Sequence, residues 1–139
     1  MSRNGSILIS GATMVLPSQT IIGDIRISDG IISEISTDKT LQSLEDELFV
    51  DGTGLHLLPG GIDPQVHFRD PGPPDREDME SGSAAAVSGG ITSFLDMPNN
   101  SPAATTIEAM NAKLDSASKK CVNNYGFFIG ATEENVEQL

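Results

Sequence analysis

From residue 60 onward, short β-branched and aromatic runs alternate with helical patterns, and that alternation points to parallel βαβ units. Gly60–Arg69 reads as a strand, Glu77–Ser88 as a helix stopped by Gly89-Gly90, and Ile91–Met97 as a second strand. Thr105 followed by Glu108 has capping-box spacing and predicts a helix whose core face is Ile107, Met110, Leu114, Ala117 and Cys121. Tyr125–Gly130 supplies a third strand, and Thr132 with Glu133 and Glu134 predicts the cap and first turn of another helix. A short parallel sheet ordinarily needs more strands and helices over its edges and faces, so the chain is expected to be part of a larger α/β unit. The alternative is a complete small protein with Val136 and Leu139 in a frayed carboxyl end.

The preceding residues have a different character. Ser6–Ser10, Ala12–Val15, Ile21–Ser28 and Gly30–Ile35 read as short strands, with Asp29-Gly30 as a hairpin turn. Ile25 and Ile27 alternate with Asp24, Arg26 and Ser28, the period of a sheet with one buried face. Thr37–Glu47 is polar and predicts a loop, and Phe49-Val50 runs into the turn residues Asp51-Gly52. The expected division is a partial β domain over 1–58 and an unfinished α/β part, about three βα units, over 59–139.

Twenty acidic against eight basic residues give a net charge of -12, which repels nucleic acid and anionic membranes. The single Cys121 cannot close an internal disulfide, and its helical position suggests a small buried hydrophobe. With no apolar run of about 18 residues and no secretory pattern, a cytoplasmic protein is expected.

The strand Ile62-Asp63-Pro64-Gln65-Val66-His67-Phe68-Arg69 carries the chemistry. Alternation sends Ile62, Pro64, Val66 and Phe68 to one side and Asp63, Gln65, His67 and Arg69 to the other. A polar face contradicts the apolar pattern of parallel strands, and each buried polar group without a partner costs about 1 to 3 kcal/mol, so that face suggests a site. Pro64 removes a ladder donor and belongs at an edge, a bulge or a strand start. His67 taken alone reads as a hydrogen-bonded core histidine, Arg69 as a surface partner of Asp70, and Asn99 as a turn residue after Pro98. Asp63 is a supporting residue that caps the strand or orients a ligand, and His56 is structural or exposed.

Leu58-Pro59-Gly60-Gly61-Ile62-Asp63, then Val66-His67-Phe68-Arg69-Asp70-Pro71-Gly72 and Met97-Pro98-Asn99, together resemble the dihydroorotase branch of the amidohydrolase superfamily. Glu77-Asp78, Gly89-Gly90-Ile91-Thr92 and Gly130-Ala131-Thr132 extend the resemblance over most of the chain. It implies an α/β fold: a small amino-terminal β-sandwich part followed by the first strands and helices of an incomplete TIM-like (β/α)8 barrel, with the site at the carboxyl ends of the strands.

In that family two histidines one residue apart on the first strand enter a binuclear zinc site that activates hydroxide. The resemblance implies His67 as a metal ligand and puts Gln65 at the position of the other histidine, where an amide oxygen binds zinc far more weakly than imidazole. Arg69 and Asn99 fall where the family binds the substrate carboxylate, and no catalytic acid-base residue lies within the chain. The implied reaction is reversible ring opening of dihydroorotate to N-carbamoyl-aspartate in pyrimidine biosynthesis, with no turnover by the isolated chain. Another cyclic-amide hydrolase, of allantoinase or dihydropyrimidinase type, is the near alternative. Gln65 also admits a noncatalytic scaffold that partners aspartate transcarbamoylase or forms a homo-oligomer, and the plainest alternative is a free-standing small β module with no chemistry.

Overall fold

The computed structural model describes residues 5–73 and 75–138, so Leu139 and the expectation attached to it lie outside the described residues. The chain divides into two compact units, Met1–Pro59 and Gly60–Leu139.

The first unit is one five-stranded sheet. Its long strand β1 (Ser6–Val15) pairs antiparallel with β2 (Thr20–Ser28), which pairs antiparallel with β3 (Ile31–Ser36). On its other side β1 takes two short parallel partners in succession, β4 (Leu48–Asp51) along Ile7–Ser10 and β5 (His56–Leu57) at Thr13–Met14. What reads in sequence as two strands with a break at Gly11 is one strand with a register shift between Ile9 and Ala12. Gly11 takes φ +73°, a conformation cheap only for glycine, and its N–H donates to Asp24 Oδ1 at 2.9 Å.

The alternation in β2 does not leave its polar residues in water. Asp24 and Arg26 are buried along with Ile25, because the 37–47 loop folds over their face and uses them as anchors. Asp24 accepts from Ser10 Oγ at 2.7 Å and from Leu41 N at 3.1 Å. Burial opposes ionisation of its carboxyl, but the bonds from Ser10, Gly11 and Leu41 prevail and hold it below the usual carboxylate range. Arg26 donates to Glu47 Oε1 at 2.8 Å and to the Gln42 carbonyl at 2.6 Å, and pairs with Glu34. That guanidinium holds the Glu47 carboxyl at about 2, with bonds from Ser6 and Leu44 adding to the effect against desolvation.

The second unit is built on three parallel strands, β6 (Gly61–Val66), β7 (Ile91–Asp96) and β8 (Asn124–Phe127), in that order. Helix α1 (Met79–Ser88) joins the first pair and α2 (Ile107–Lys120) the second, as parallel neighbours require. Phe68, Met79, Phe94 and Ala117 form the core, with Val66, Cys121, Tyr125 and Phe127 packed on it. Phe68 and Phe94 meet edge to face, centroids 4.8 Å apart. Gly82 of α1 lies under the Phe68 ring, where an added Cβ would stand 2.5 Å from Cε1. Among the described residues no helix is long and apolar enough to cross a membrane.

Several expected boundaries move for local reasons. The first strand of this unit stops at Val66, not Arg69, and its ladder skips from Asp63 to Val66, so Pro64 falls where no N–H is needed. The first helix starts at Met79, capped by Asp78, whose carboxylate accepts from Ser81 N at 2.8 Å. The second is capped by Thr106 and not Thr105, whose carbonyl instead accepts from Asn135 Nδ2 at 2.7 Å. Its face is only partly the expected one: Ala117 is buried and Cys121 half-buried, but Ile107 and Leu114 are exposed and Lys113 is buried. Beyond β8, Asn135 Oδ1 ties back to Thr132 N at 2.7 Å, and a 3-10 turn, Val136–Gln138, replaces the expected start of a helix.

Candidate active site

The carboxyl ends of β6 and β7 present the residues singled out in the sequence. Val66 O accepts from Met97 N at 3.0 Å, so the chain leaving β7 stays beside the chain leaving β6. Immediately beyond, His67 Nδ1 lies 3.0 Å from Asn99 Oδ1. An amide oxygen can only accept, so the contact is a hydrogen bond when Nδ1 carries the proton, which in the neutral ring leaves the Nε2 lone pair available. Both side chains are exposed, and the imidazole is oriented as histidines that bind metal through the other nitrogen are. Asn99 keeps its Nδ2 donor for another acceptor.

The polar face expected to be buried is open here. Gln65, His67 and Arg69 are exposed, and so is Ile62 at 67%, while Val66 and Phe68 turn to the core. Asp63 Oδ1 accepts from Gln65 N at 3.0 Å, so it caps the break at Pro64 locally. Arg69 does not pair with Asp70. It sits in the left-handed region at φ +60° and lines a cavity of about 230 Å³ with Arg76, Glu77 and Lys120. Gly72 closes the turn after Arg69, where a side chain would collide with the Arg69 carbonyl.

Asp70 instead joins two helices to the site. Its Oδ2 accepts from Met79 N at 3.2 Å and from Lys120 Nζ at 2.6 Å, and this bond holds the Lys120 ammonium above its usual value against desolvation. His56 is exposed in β5, and the Cys121 thiol is pushed up by burial, away from the thiolate a nucleophile needs.

Three residues at this end of the sheet escaped the sequence reading. Asp96, Asn100 and Lys113 are all buried, at 0%, 8% and 1% exposure. The available signals were slight: an acid closing an apolar strand, and a lysine four residues before Ala117 on the same helix stripe.

As a metal centre the arrangement is incomplete. His67 fits as one ligand, but among the described residues no group of three His, Cys, Asp or Glu side chains is placed to hold an ion. Gln65 offers only an amide oxygen.

The amidohydrolase family matches residues 56–138, which takes in both strand ends. An allantoinase of Deinococcus radiodurans is 35% identical over 134 residues, covering 96% of the chain and 29% of that protein. A dihydroorotase of Streptococcus pneumoniae is 39% identical over 100 residues, covering 72% of the chain and 23% of that protein. Among solved structures, L-hydantoinase from Arthrobacter aurescens superposes with a TM-score of 0.78 at 26% identity, over 94% of this chain and 29% of that one. Dihydropyrimidinase from Brevibacillus agri gives 0.78 at 31%, over 96% and 29%.

This chain belongs to the amidohydrolase family. Its relatives divide among dihydroorotase, allantoinase and hydantoinase, which places it in the cyclic-amide hydrolase group and supports the incomplete barrel, without singling out a substrate. The chain spans less than a third of the length of these relatives.

Proposed function

We propose that the protein carrying this chain opens a cyclic amide whose ring bears a carboxylate, with dihydroorotate as substrate and N-carbamoyl-aspartate as product. The observation that supports this reading is the His67–Asn99 contact at 3.0 Å, with Arg69 two residues beyond the histidine on the same loop. Arg69 contributes a guanidinium fork and Asn99 its Nδ2, a donor pair suited to a carboxylate. His67 would hold zinc through Nε2 and Gln65 would add at most a weak contact, and among the described residues no group of three His, Cys, Asp or Glu completes the set. Zinc held there would serve as a Lewis acid for a ring carbonyl and as a source of hydroxide at neutral pH.

The test is turnover by the full translated open reading frame, loaded with zinc, on dihydroorotate, allantoin and dihydrouracil. Dihydroorotate is consumed fastest. Arg69→Gln and Asn99→Ala each raise KM for dihydroorotate by about 10 to 100-fold, the value of one charge-assisted hydrogen bond. Faster allantoin turnover, indifferent to Arg69→Gln, would reject the carboxylate reading and favour the second one, an allantoinase, which the 35% identity over 96% of the chain supports. No turnover on any ring, with a gain on Gln65→His, favours the scaffold that serves aspartate transcarbamoylase.

A further inference from the structure

We propose that the buried Lys113–Asp96 pair is a positioning device that locks the two strand-end loops carrying His67, Arg69 and Asn99 against each other. The inference rests on the reading of those three residues as the site.

Lys113 projects from α2 with 1% exposure, and its ammonium lies 2.7 Å from Asp96 Oδ2. That contact is an ion pair, not an aligned hydrogen bond. The ammonium donates to Asn100 Oδ1 at 2.7 Å and to the Met97 carbonyl at 3.1 Å, and stands 4.7 Å from the Phe127 ring centre. One cation thus holds both ends of the Met97–Asn100 segment that presents Asn99. Its two side-chain partners, Asp96 and Asn100, reach across to the other loop. Asp96 Oδ1 accepts from Phe68 N at 3.1 Å, and Asn100 Nδ2 donates to the Asp70 carbonyl at 3.1 Å. Phe68 and Asp70 flank Arg69, and Phe68 follows His67. The His67–Asn99 contact is therefore exposed at the surface but set from beneath.

Taking an ammonium and a carboxylate out of water costs several kcal/mol per ion, and an apolar pair of similar volume commonly packs at least as well. Stability alone does not account for lysine at 113, where methionine would fill the stripe. Geometry at the loop ends does, because an ammonium with three donors can hold Asp96, the Met97 carbonyl and Asn100 Oδ1 at once, whereas a methionine can hold none of them.

The experiment reads the imidazole proton, not turnover, so it stands apart from the substrate assignment. The 139-residue chain has two histidines, and 15N-histidine NMR separates their tautomers. In the wild type His67 is in the Nδ1–H form. In D96N/K113M, which removes both charges together, circular dichroism and cooperative melting persist while the Nδ1–H signal of His67 gives way to the Nε2–H form that free imidazole prefers. Asn100→Leu, which keeps the ion pair but cuts the link to Asp70, produces the same change in part. Lys119→Met, on an exposed pair with Asp115, leaves the signal unchanged. A folded D96N/K113M or N100L protein with an unaltered Nδ1–H signal overturns the proposal.

Discussion

At the scale of single residues, the deeply buried groups fall into two kinds. Phe94 is 1% exposed and touches the rings of Phe68, Tyr125 and Phe127, so Phe94→Ala is expected to destabilise the second unit by about 3 to 5 kcal/mol in denaturant titration. Glu47 is of the other kind, a shielded carboxylate paired with Arg26. Its carboxyl is depressed from 4.5 to about 2 in the folded state, so its contribution is complete above pH 4.5 and lost as pH falls through about 2. Glu47→Gln should flatten stability across that window in an acid titration followed by circular dichroism. Apolar residues such as Phe94 were legible from their strand positions. Arg26, Asp24, Asn100 and Lys113 were not, because a pattern of polar and apolar letters cannot tell a solvated charge from one whose partner lies in a distant segment.

Elements were legible as to type and order, and less so at their ends, since ends depend on caps and tertiary anchors. The helix after Thr105 was expected, but the choice of Thr106 as cap was hidden because it follows from Asn135 holding the Thr105 carbonyl. Two changes in α1 should separate the forces that place it. Asp78→Ala removes the bond to Ser81 N and should lower stability by about 1 kcal/mol. Gly82→Ala improves helix propensity by up to about 1 kcal/mol, yet it drives a methyl into the Phe68 ring, and overpacking of about 1 to 3 kcal/mol should prevail. Thermal melting of the two variants checks both, and a stabilised Gly82→Ala protein would show that the ring yields freely. Because Phe68 shares its backbone N–H with Asp96, that same variant should also perturb the His67 signal.

For the whole molecule, family and architecture were legible from motifs scattered over most of the chain, whereas substrate was not, because the residues that would choose it are few and exposed. With one imidazole at the strand ends, the 139-residue chain is expected to show no zinc-dependent turnover of dihydroorotate. Gln65→His, which restores a nitrogen donor beside His67, should tighten zinc by at least about tenfold in chelator competition. The first unit has a different lesson, which comes from the bend at Gly11. By dividing β1 into halves, the bend assigns one flank of the sheet to β4 and β5, four and two residues long, in place of a single continuous border. A stray strand from another molecule therefore finds too short a run of free amides there to grow a fibril on, and among the described residues of this sheet the β3 flank is the longer template.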